Sequence, residues 1–433
     1  MLSLLIAASI AAPPLQFIED DYPKALEQAR AEHKPLFIDF SATWCHSCLS
    51  MRRYVLADEG MKPVGDSMVW LAIETEAEKN RQVVDQFPLD VWPTFLVVDP
   101  ESEKVLARWL GSGSVQEIRA FVQQGARAYR EKGKLDAASA EQRKGDEARL
   151  RGDLAASAEA YGKALALSKP ADPQRPERLA LYANGLRKLK TPRSARTCVQ
   201  LALKEMGNTG ESAIATDFIG YAESCAGSLP ESDLDVLRLR ALAIDRIGQV
   251  LAKPDAPLAA DDRSDALANL AELLDMSHRH DEAVAAMKQR AEVLSMAAAA
   301  APDATTASTF DPHRTDTYLY LQVPEQAEQL LAQREKEMPA DYNPPARLAR
   351  VYLAEKKLPQ AEAAVDRALK LMTRGQRRIG ILALKAKIFD AQGKSSAAVV
   401  REQLEVMREL PKTQRNPDAE RKLEEQLLKT ASK

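Results

Sequence analysis

The pattern of hydrophobic residues changes once along the chain, near Arg130, and this change constrains the fold more than any other feature. Before it, short apolar runs alternate with helical stretches, as in domains that pack helices against a sheet. After it, strand-like runs are absent and Ala, Leu, Glu, Lys and Arg dominate up to the C-terminus. The sequence therefore predicts an α/β domain followed by an all-α region.

The α/β part contains four short apolar runs that are typical of buried strands. These runs are 36–40, 68–73, 94–98 and 105–110. Stretches with a helical period separate or flank them, at 21–32, 46–57, 76–87 and after Ser114, a residue that can cap a helix. The predicted order is helix, β-α-β, helix, β-β-α.

The all-α part has a recurring spacing of small residues. With one small residue of each second helix as the marker, Ala327, Ala361 and Ala397 are 34 and 36 residues apart. Ser157 and Ala195 are 38 residues apart, and the spacing from Ala283 to Ala327 contains an inserted loop over 297–310. Small residues let two helices of a hairpin approach closely, while larger ones fill the groove against the next hairpin. The pattern resembles tetratricopeptide (TPR) repeats over 140–410, and the alternative is an irregular stack of helical hairpins. In both cases we expect an α-solenoid whose concave face binds a protein or peptide.

The motif that carries chemistry is Trp-Cys-His-Ser-Cys at 44–48, where the first strand meets the next helix. Unpaired N–H groups at a helix N-terminus stabilise a thiolate, so we expect an exposed Cys45 to be the attacking nucleophile. One helical turn places Cys48 deeper, where it can resolve a mixed disulfide. A zinc site would need a second ligand pair, but Cys198 and Cys225 are 27 residues apart in the helical part, so no metal is expected. We expect these two cysteines to be buried free thiols, although export would permit a bridge.

The α/β part resembles the thioredoxin superfamily in three separate places. The stretch 37–45 matches the strand that leads to the redox site, with Asp39 six residues before Cys45. The stretch 91–94 matches the loop with a cis-proline beside the disulfide, and Gly111 matches the glycine before the last helix. The resemblance implies a thioredoxin-like domain over 12–134.

The resemblance also implies roles for individual residues. Asp39 would be a buried carboxylate that takes the proton of Cys48. Pro93 would be the cis-proline, and its bond would present the backbone of Trp92 to an extended client segment. The positions expected to bind substrate are Trp44, Trp92 and Thr94.

Two residues near the cysteines are expected to modulate them. His46 replaces the glycine that ordinary thioredoxins have after the first cysteine, and it either stabilises the thiolate when protonated or lies at the surface. Glu74 stands where many thioredoxins have a lysine, and an acidic neighbour disfavours a thiolate. This region is similar to the C-terminal domain of bacterial thiol:disulfide interchange reductases of the cell envelope. The other histidines are expected to face solvent; they are His33, His278, His280 and His313.

The chain ends bear on localisation. Residues 1–12 form an apolar run too short to span a bilayer, and Ser9 and Ala11 suit the small-residue positions before a signal-peptidase cut. We therefore expect a signal peptide at 1–11, a periplasmic or secreted protein and no membrane span.

Residues 411–433 are expected to form a charged tail. With 60 basic and 63 acidic residues the charges balance, which argues against a nucleic-acid partner.

These features predict an exported thiol:disulfide oxidoreductase that reduces or isomerises disulfides of client proteins, with the repeats choosing partners. The only Gly-rich stretch, 111–113, is too short for a dinucleotide fingerprint, so no cofactor is expected and another redox protein must exchange electrons with the site. The alternative is an adaptor whose solenoid is the functional part and whose thioredoxin-like domain is redox-sensing or structural. The presence of Asp39, Cys45, Cys48 and Pro93 together favours the enzyme.

Overall fold

The computed structural model describes residues 15–87, 89, 91–132, 134–410 and 415–431. The expected signal peptide, residues 1–11, lies outside these ranges. Within them, no helix has both the length and the apolar character that a membrane span requires. The limits expected for the domains, 12–134 and 140–410, remain predictions.

The N-terminal part is built on a five-stranded sheet with the order β1-β3-β2-β4-β5. The strands are β1 Phe17–Glu19, β2 Leu36–Ser41, β3 Val69–Glu74, β4 Thr94–Val98 and β5 Val105–Leu110. Strands β1 and β2 pair with β3 in parallel, whereas β4 pairs antiparallel with both β2 and β5. The sequence predicted β2 to β5, but not β1, because three residues are too few to define a period.

Four α-helices accompany the sheet. They are α1 Tyr22–Glu32, α2 His46–Ser50, α3 Arg81–Gln86 and α4 Val115–Arg130. The helix predicted over 46–57 changes its winding, because α2 passes into a π-helical turn over Met51–Val55. The helix predicted over 76–87 begins only at Arg81, after a 3₁₀ turn. Ser114 caps α4, and its hydroxyl accepts a hydrogen bond from the backbone N–H of Glu117 at 3.3 Å.

Both faces of the sheet are covered, which explains why its strands read as continuous apolar runs. Alternate side chains of β2 point to opposite faces, so Phe37 packs towards α4, while Ile38 and Phe40 pack towards α1 and α3. This arrangement leaves the ends of β2 and β3 free to carry loops. The cysteine motif lies on the loop that follows β2.

The described residues from 137 onward are mainly helical, and most of their helices form consecutive pairs. The helices are α5 Ala137–Leu150, α6 Leu154–Leu167, α7 Arg175–Lys188, α8 Pro192–Glu205, α9 Ala213–Ala226, α10 Leu234–Leu251, α11 Ala260–Met276, α12 His280–Ala299, α13 Ala304–Ala307, α14 Asp311–Tyr320, α15 Pro324–Glu337, α16 Asn343–Ala354, α17 Leu358–Leu371, α18 Gly375–Ala391, α19 Ala397–Glu409 and α20 Pro417–Ala431. The short α13 lies in an insertion between two pairs. Helix α20 belongs to the expected tail and packs against α19 through Leu423 and Leu427.

The small marker residues occupy one structural position. Each is the buried fourth residue of the second helix of its pair, as at Ser157, Ala195, Ala283, Ala327 and Ala361. The marker expected at 397 is wrong, because Ala397 is the first residue of α19. The equivalent position there is 400, a buried valine, and the last spacing is therefore longer than the sequence suggested.

The repeats wrap around the sheet domain. The first helix of six successive pairs contacts it, always at or just before the helix start, through Gln174, Ser212, Asp261, His313, Tyr342 and Arg377. A compact domain can touch six successive hairpins only on the inside of their curve. The chain's own domain therefore occupies part of the concave face that the sequence assigned to an external partner.

Candidate functional site

Cys45 and Cys48 form a disulfide at the start of α2, with their Cα atoms 5.2 Å apart. Cys45 is the N-cap residue, and its Sγ accepts a hydrogen bond from the backbone N–H of Cys48 at 3.1 Å. A helix N-terminus thus faces this sulfur. The same N–H can stabilise negative charge on Sγ when the disulfide is reduced.

The cysteine pair is covered, contrary to the expectation of an exposed Cys45. Cys45 is 4% and Cys48 2% exposed. Trp44 and Trp92 pack against them, with ring centroids 5.6 Å apart. The repeats also contact this loop, since the hydroxyls of Thr43 and Tyr342 lie 3.4 Å apart. The sequence could not predict this cover, because the contacting residues are about 300 positions apart.

Asp39 is fully buried in β2. Burial raises the pKa of its carboxyl to about 7, and Arg52, whose Nε lies 3.9 Å from Oδ2, opposes that rise. Within the described part of the chain, no hydrogen-bond donor reaches Oδ2. A carboxyl that titrates near neutral pH can both take and return a proton, as the role predicted for Asp39 requires.

The loop before β4 lies beside the disulfide. The peptide bond between Trp92 and Pro93 is cis, and the indole N–H of Trp92 donates to Thr75 Oγ1 at 3.1 Å. Thr94, also expected to bind substrate, is buried, and its hydroxyl donates to the carbonyl oxygen of Val91 at 2.8 Å. The hydroxyl of Thr94 therefore serves the fold of the loop and is not presented to a client.

Glu74 ends β3 directly beside Ser41, the last residue of β2. It is half-buried, and desolvation raises the pKa of its carboxyl to about 7. Its Oε1 accepts a hydrogen bond from the backbone N–H of Glu76 at 3.1 Å. Near neutral pH, part of the Glu74 population is uncharged, so its predicted opposition to the thiolate is strongest in alkaline solution.

His46 and His313 contact each other, which overturns two expectations. His313 is buried instead of facing solvent, and its Nε2 lies 2.8 Å from Nδ1 of His46. Burial and the neighbouring His313 lower the pKa of His46 to about 3, so His46 is neutral and cannot stabilise a thiolate as an imidazolium ion. The remaining histidines, His33, His278 and His280, are exposed as expected. One feature of the sequence indicates that the surroundings of His313 are unusual. The spacing between the small residues at 283 and 327 is longer than one repeat, and the insertion responsible for it directly precedes α14.

Cys198 and Cys225 are bonded to each other instead of being free thiols. Their disulfide joins α8 to α9 inside the helical core, where both residues are buried next to Ala183 and Phe218. Neither residue stands at a helix start. This disulfide lies in the repeats, apart from the loop at 44–48.

A cavity of about 450 Å³ lies between the cysteine loop and the repeats. Its lining includes Trp44, His46 and Leu49 from the loop and Met338, Tyr342 and Arg347 from the repeats. Its walls are mainly apolar, with a single cationic side chain. Among the described residues, no group of three or more His, Cys, Asp or Glu side chains could hold a metal ion.

The fold and the cysteine pair define a thioredoxin-like domain fused to TPR-like helical repeats. Residues 17–100 match a family model described as thioredoxin-like. Among curated proteins, no relative matches the chain.

Two solved structures illustrate the likeness of the repeats. A tetratricopeptide repeat protein from Parabacteroides merdae is 14% identical, with a TM-score of 0.42, over 68% of this chain and 98% of the other. The TPR2AB domain of yeast Sti1, in a complex with pHSP90, is 13% identical, with a TM-score of 0.25, over 68% and 98%. With TM-scores below 0.5, neither likeness bears on function.

Proposed function

We propose that this chain is an exported thiol:disulfide oxidoreductase that reduces or isomerises disulfides of client proteins. The observation that carries the proposal is the position of Cys45 at the N-cap of α2, with the N–H of Cys48 donating to its sulfur. A helix start of this kind stabilises the thiolate, which is the attacking species in disulfide exchange. Asp39 supplies a carboxyl with a pKa of about 7 in the same domain.

The reaction starts from the dithiol. The Cys45 thiolate attacks one client sulfur, so a mixed disulfide forms and the other client sulfur leaves as a thiolate. Cys48 then loses its proton to Asp39 and attacks Cys45 Sγ, which restores the disulfide and releases the second client thiolate. Two electrons pass to the client. A separate redox protein, which we propose as a partner, returns the disulfide to the dithiol.

Because both cysteines are buried, a client must reach them through the space beside the cysteine loop. The cavity beside Trp44 and His46 can receive a short segment of a client, and its apolar walls favour apolar side chains there. Trp92 packs against the cysteines, and with Pro93 it is proposed to guide the client backbone. The N-terminal apolar run supports export, which fractionation of the host cell and N-terminal sequencing would test.

Trapping experiments on the full chain test the enzyme directly. In Cys48→Ser the resolving thiol is missing, so mixed disulfides with clients should accumulate on Cys45. In Cys45→Ser little should be trapped, and the double variant provides the background. Non-reducing gels followed by mass spectrometry would identify the trapped species.

The second candidate is an adaptor whose thioredoxin-like domain is structural, and the burial of both cysteines is the observation that favours it. An adaptor predicts a full chain that is folded but inert towards disulfides, with no trapped species in either single variant. An enzyme predicts trapping that depends on Cys45.

A further inference from the structure

A histidine from the repeats reaches the cysteine loop. His313 is the third residue of α14 and 4% exposed, and its Nε2 lies 2.8 Å from Nδ1 of His46. The two rings are nearly perpendicular, at 78°, with centroids 4.1 Å apart. Since His46 directly follows Cys45, one hydrogen bond connects the repeats to the redox motif.

The other nitrogen of His313 faces a second group of polar atoms. Its Nδ1 lies 3.2 Å from Oδ1 of Asp265 in α11 and 2.9 Å from Nη2 of Arg290 in α12. The side chain of Asp265 is 46% exposed, whereas that of His313 is buried. A chain of polar contacts therefore leads from solvent through Asp265 and His313 to His46.

A covered dithiol needs such a connection. Before the attack Cys45 must lose its proton, and each client thiolate that leaves must gain one, so protons must pass between the buried site and solvent. Cys45 and Cys48 are almost fully buried, which limits direct exchange with water. A neutral imidazole has one donor and one acceptor nitrogen, and it can take a proton at one and release a proton from the other. His313 has a polar partner at each nitrogen.

We propose that His313 is a positioning residue of the redox site, which holds the ring of His46 beside Cys45 and, with Asp265, passes protons between the cysteine loop and solvent. This inference rests on the proposed disulfide exchange. It makes the redox site bipartite, because one part comes from the sheet domain and the other from the repeats.

The charges around the two rings agree with this role. Asp261 and Asp265 face them from α11, Arg290 from α12 and Arg347 from α16. Burial, His313 and the two arginines oppose a positive charge on His46 more strongly than Asp265 favours it, and the pKa of His46 is lowered to about 3. His46 is therefore neutral at physiological pH and keeps both an acceptor and a donor nitrogen.

The test uses the full chain in a Cys48→Ser background. The rate at which iodoacetamide alkylates Cys45 is measured from pH 4 to 9, with mass spectrometry to locate the adduct. In His313→Ala, water reaches His46 and its pKa returns towards the ordinary value. Below about pH 6.5 an imidazolium ion then forms and stabilises the thiolate. We expect an added inflection between pH 5 and 7 and at least threefold faster alkylation at pH 5.

Two further variants sharpen this measurement. The added inflection should disappear in His313→Ala combined with His46→Gln, because no titrating ring remains beside Cys45. His280→Ala is the matched control: His280 also bonds an aspartate, with Nδ1 2.8 Å from Asp275 Oδ1, but it is exposed at the start of α12. Its profile should superimpose on that of the parent.

Proton passage is tested separately, with Cys48 restored, glutathione disulfide as the oxidant and dithiothreitol as the reductant that regenerates the dithiol, and with the rate in the absence of protein subtracted. His313→Gln keeps a hydrogen-bonding side chain but cannot pass a proton. It should retain the parent alkylation profile in the Cys48→Ser background, and its turnover should fall at least threefold. Asp265→Asn should slow turnover similarly. If both variants turn over at the parent rate, the relay is wrong.

The outcomes separate this inference from the proposed function. If the parent chain turns over but His313→Ala changes neither profile nor turnover, His313 has no role in the redox site and the enzyme still stands. If the parent chain does not turn over, the proposed function fails. The alkylation profile needs no client, so an unchanged profile in His313→Ala would then also overturn the positioning role.

Discussion

The two disulfides of this chain are both buried, but they differ in the length of the loop they close and in their position relative to a helix start. Cys45–Cys48 spans a single helical turn at a helix start, and Trp44 and Trp92 pack against the two cysteines. Cys198–Cys225 joins two helices within the repeat core, in a cluster of buried apolar side chains and with the backbone carbonyls of Ala183 and Tyr221 near Cys198 Sγ. Exposure therefore does not distinguish the pair that we propose to be reactive from the pair in the repeat core. What distinguishes them is the helix N-terminus at the sulfur of Cys45.

The largest expected effect is on catalysis. Cys45→Ser should lower the rate of disulfide exchange by about three orders of magnitude or more, because the attacking thiolate is gone. Replacing Cys198 and Cys225 by serine should leave the rate per folded molecule unchanged. Turnover of glutathione disulfide measures both. Equal losses in the two variants would contradict the division between reactive and structural pairs.

The second-largest expected effect is on stability, and here the loss of Cys198–Cys225 should have the larger effect. The loop closed by Cys198–Cys225 is long, so its loss should reduce the free energy of unfolding by about 3.5 kcal/mol, against about 2 kcal/mol for the short loop of Cys45–Cys48. Urea denaturation of the double-serine variants of each pair, under non-reducing conditions, measures this difference. A larger loss for the Cys45–Cys48 variant would show that its disulfide has a structural role.

Ionisation of Asp39, in the domain of the first disulfide, should make the stability of the folded protein depend on pH. Its carboxyl is neutral in the unfolded chain only below about pH 4, but in the folded protein its pKa is about 7. The folded state thus binds a proton more tightly, and stability is lost as pH rises from 4 through 7. Asp39→Asn cannot ionise, so it should be more stable than the parent by roughly 2 to 4 kcal/mol at pH 8 and about equal at pH 4.

The measurement for Asp39 is urea denaturation at both pH values, together with turnover. Turnover of Asp39→Asn should fall, because the amide cannot take the proton of Cys48. Asp172, a partly exposed partner of Arg178 in the repeats, offers a control position. A parallel stability curve for Asp39→Asn and the parent across this pH range would mean that Asp39 ionises normally.

The smallest effect concerns the helix that carries Cys198. Thr191 caps α8, and its hydroxyl accepts a hydrogen bond from the backbone N–H of Ser194 at 3.1 Å. Thr191→Ala should lower the free energy of unfolding by about 1 kcal/mol and leave turnover unchanged. A drop in turnover at full stability would instead couple the second disulfide to the redox site.

The sequence predicted the local features of the molecule well and its long-range contacts poorly. Strands β2 to β5 and the N-cap position of Cys45 follow from periods and spacing within a few residues. The contacts of the repeats with the cysteine loop come from His313 and Tyr342, which follow four and five complete helix pairs, and the curvature of those pairs sets where both residues lie. No local pattern records that curvature, so burial of Cys45 and neutrality of His46 could not be predicted.

Six helix starts contact one sheet domain, and these contacts restrict how such a chain can gain or lose repeats. An open solenoid can gain or lose a hairpin at little cost, since each hairpin contacts only its neighbours. Here each of six hairpins also contacts a particular residue of the enclosed domain. Insertion of one unit would shift all later positions, bringing a different helix opposite His46 and Thr43. We therefore expect the size of the inner domain to limit how many hairpins can surround it.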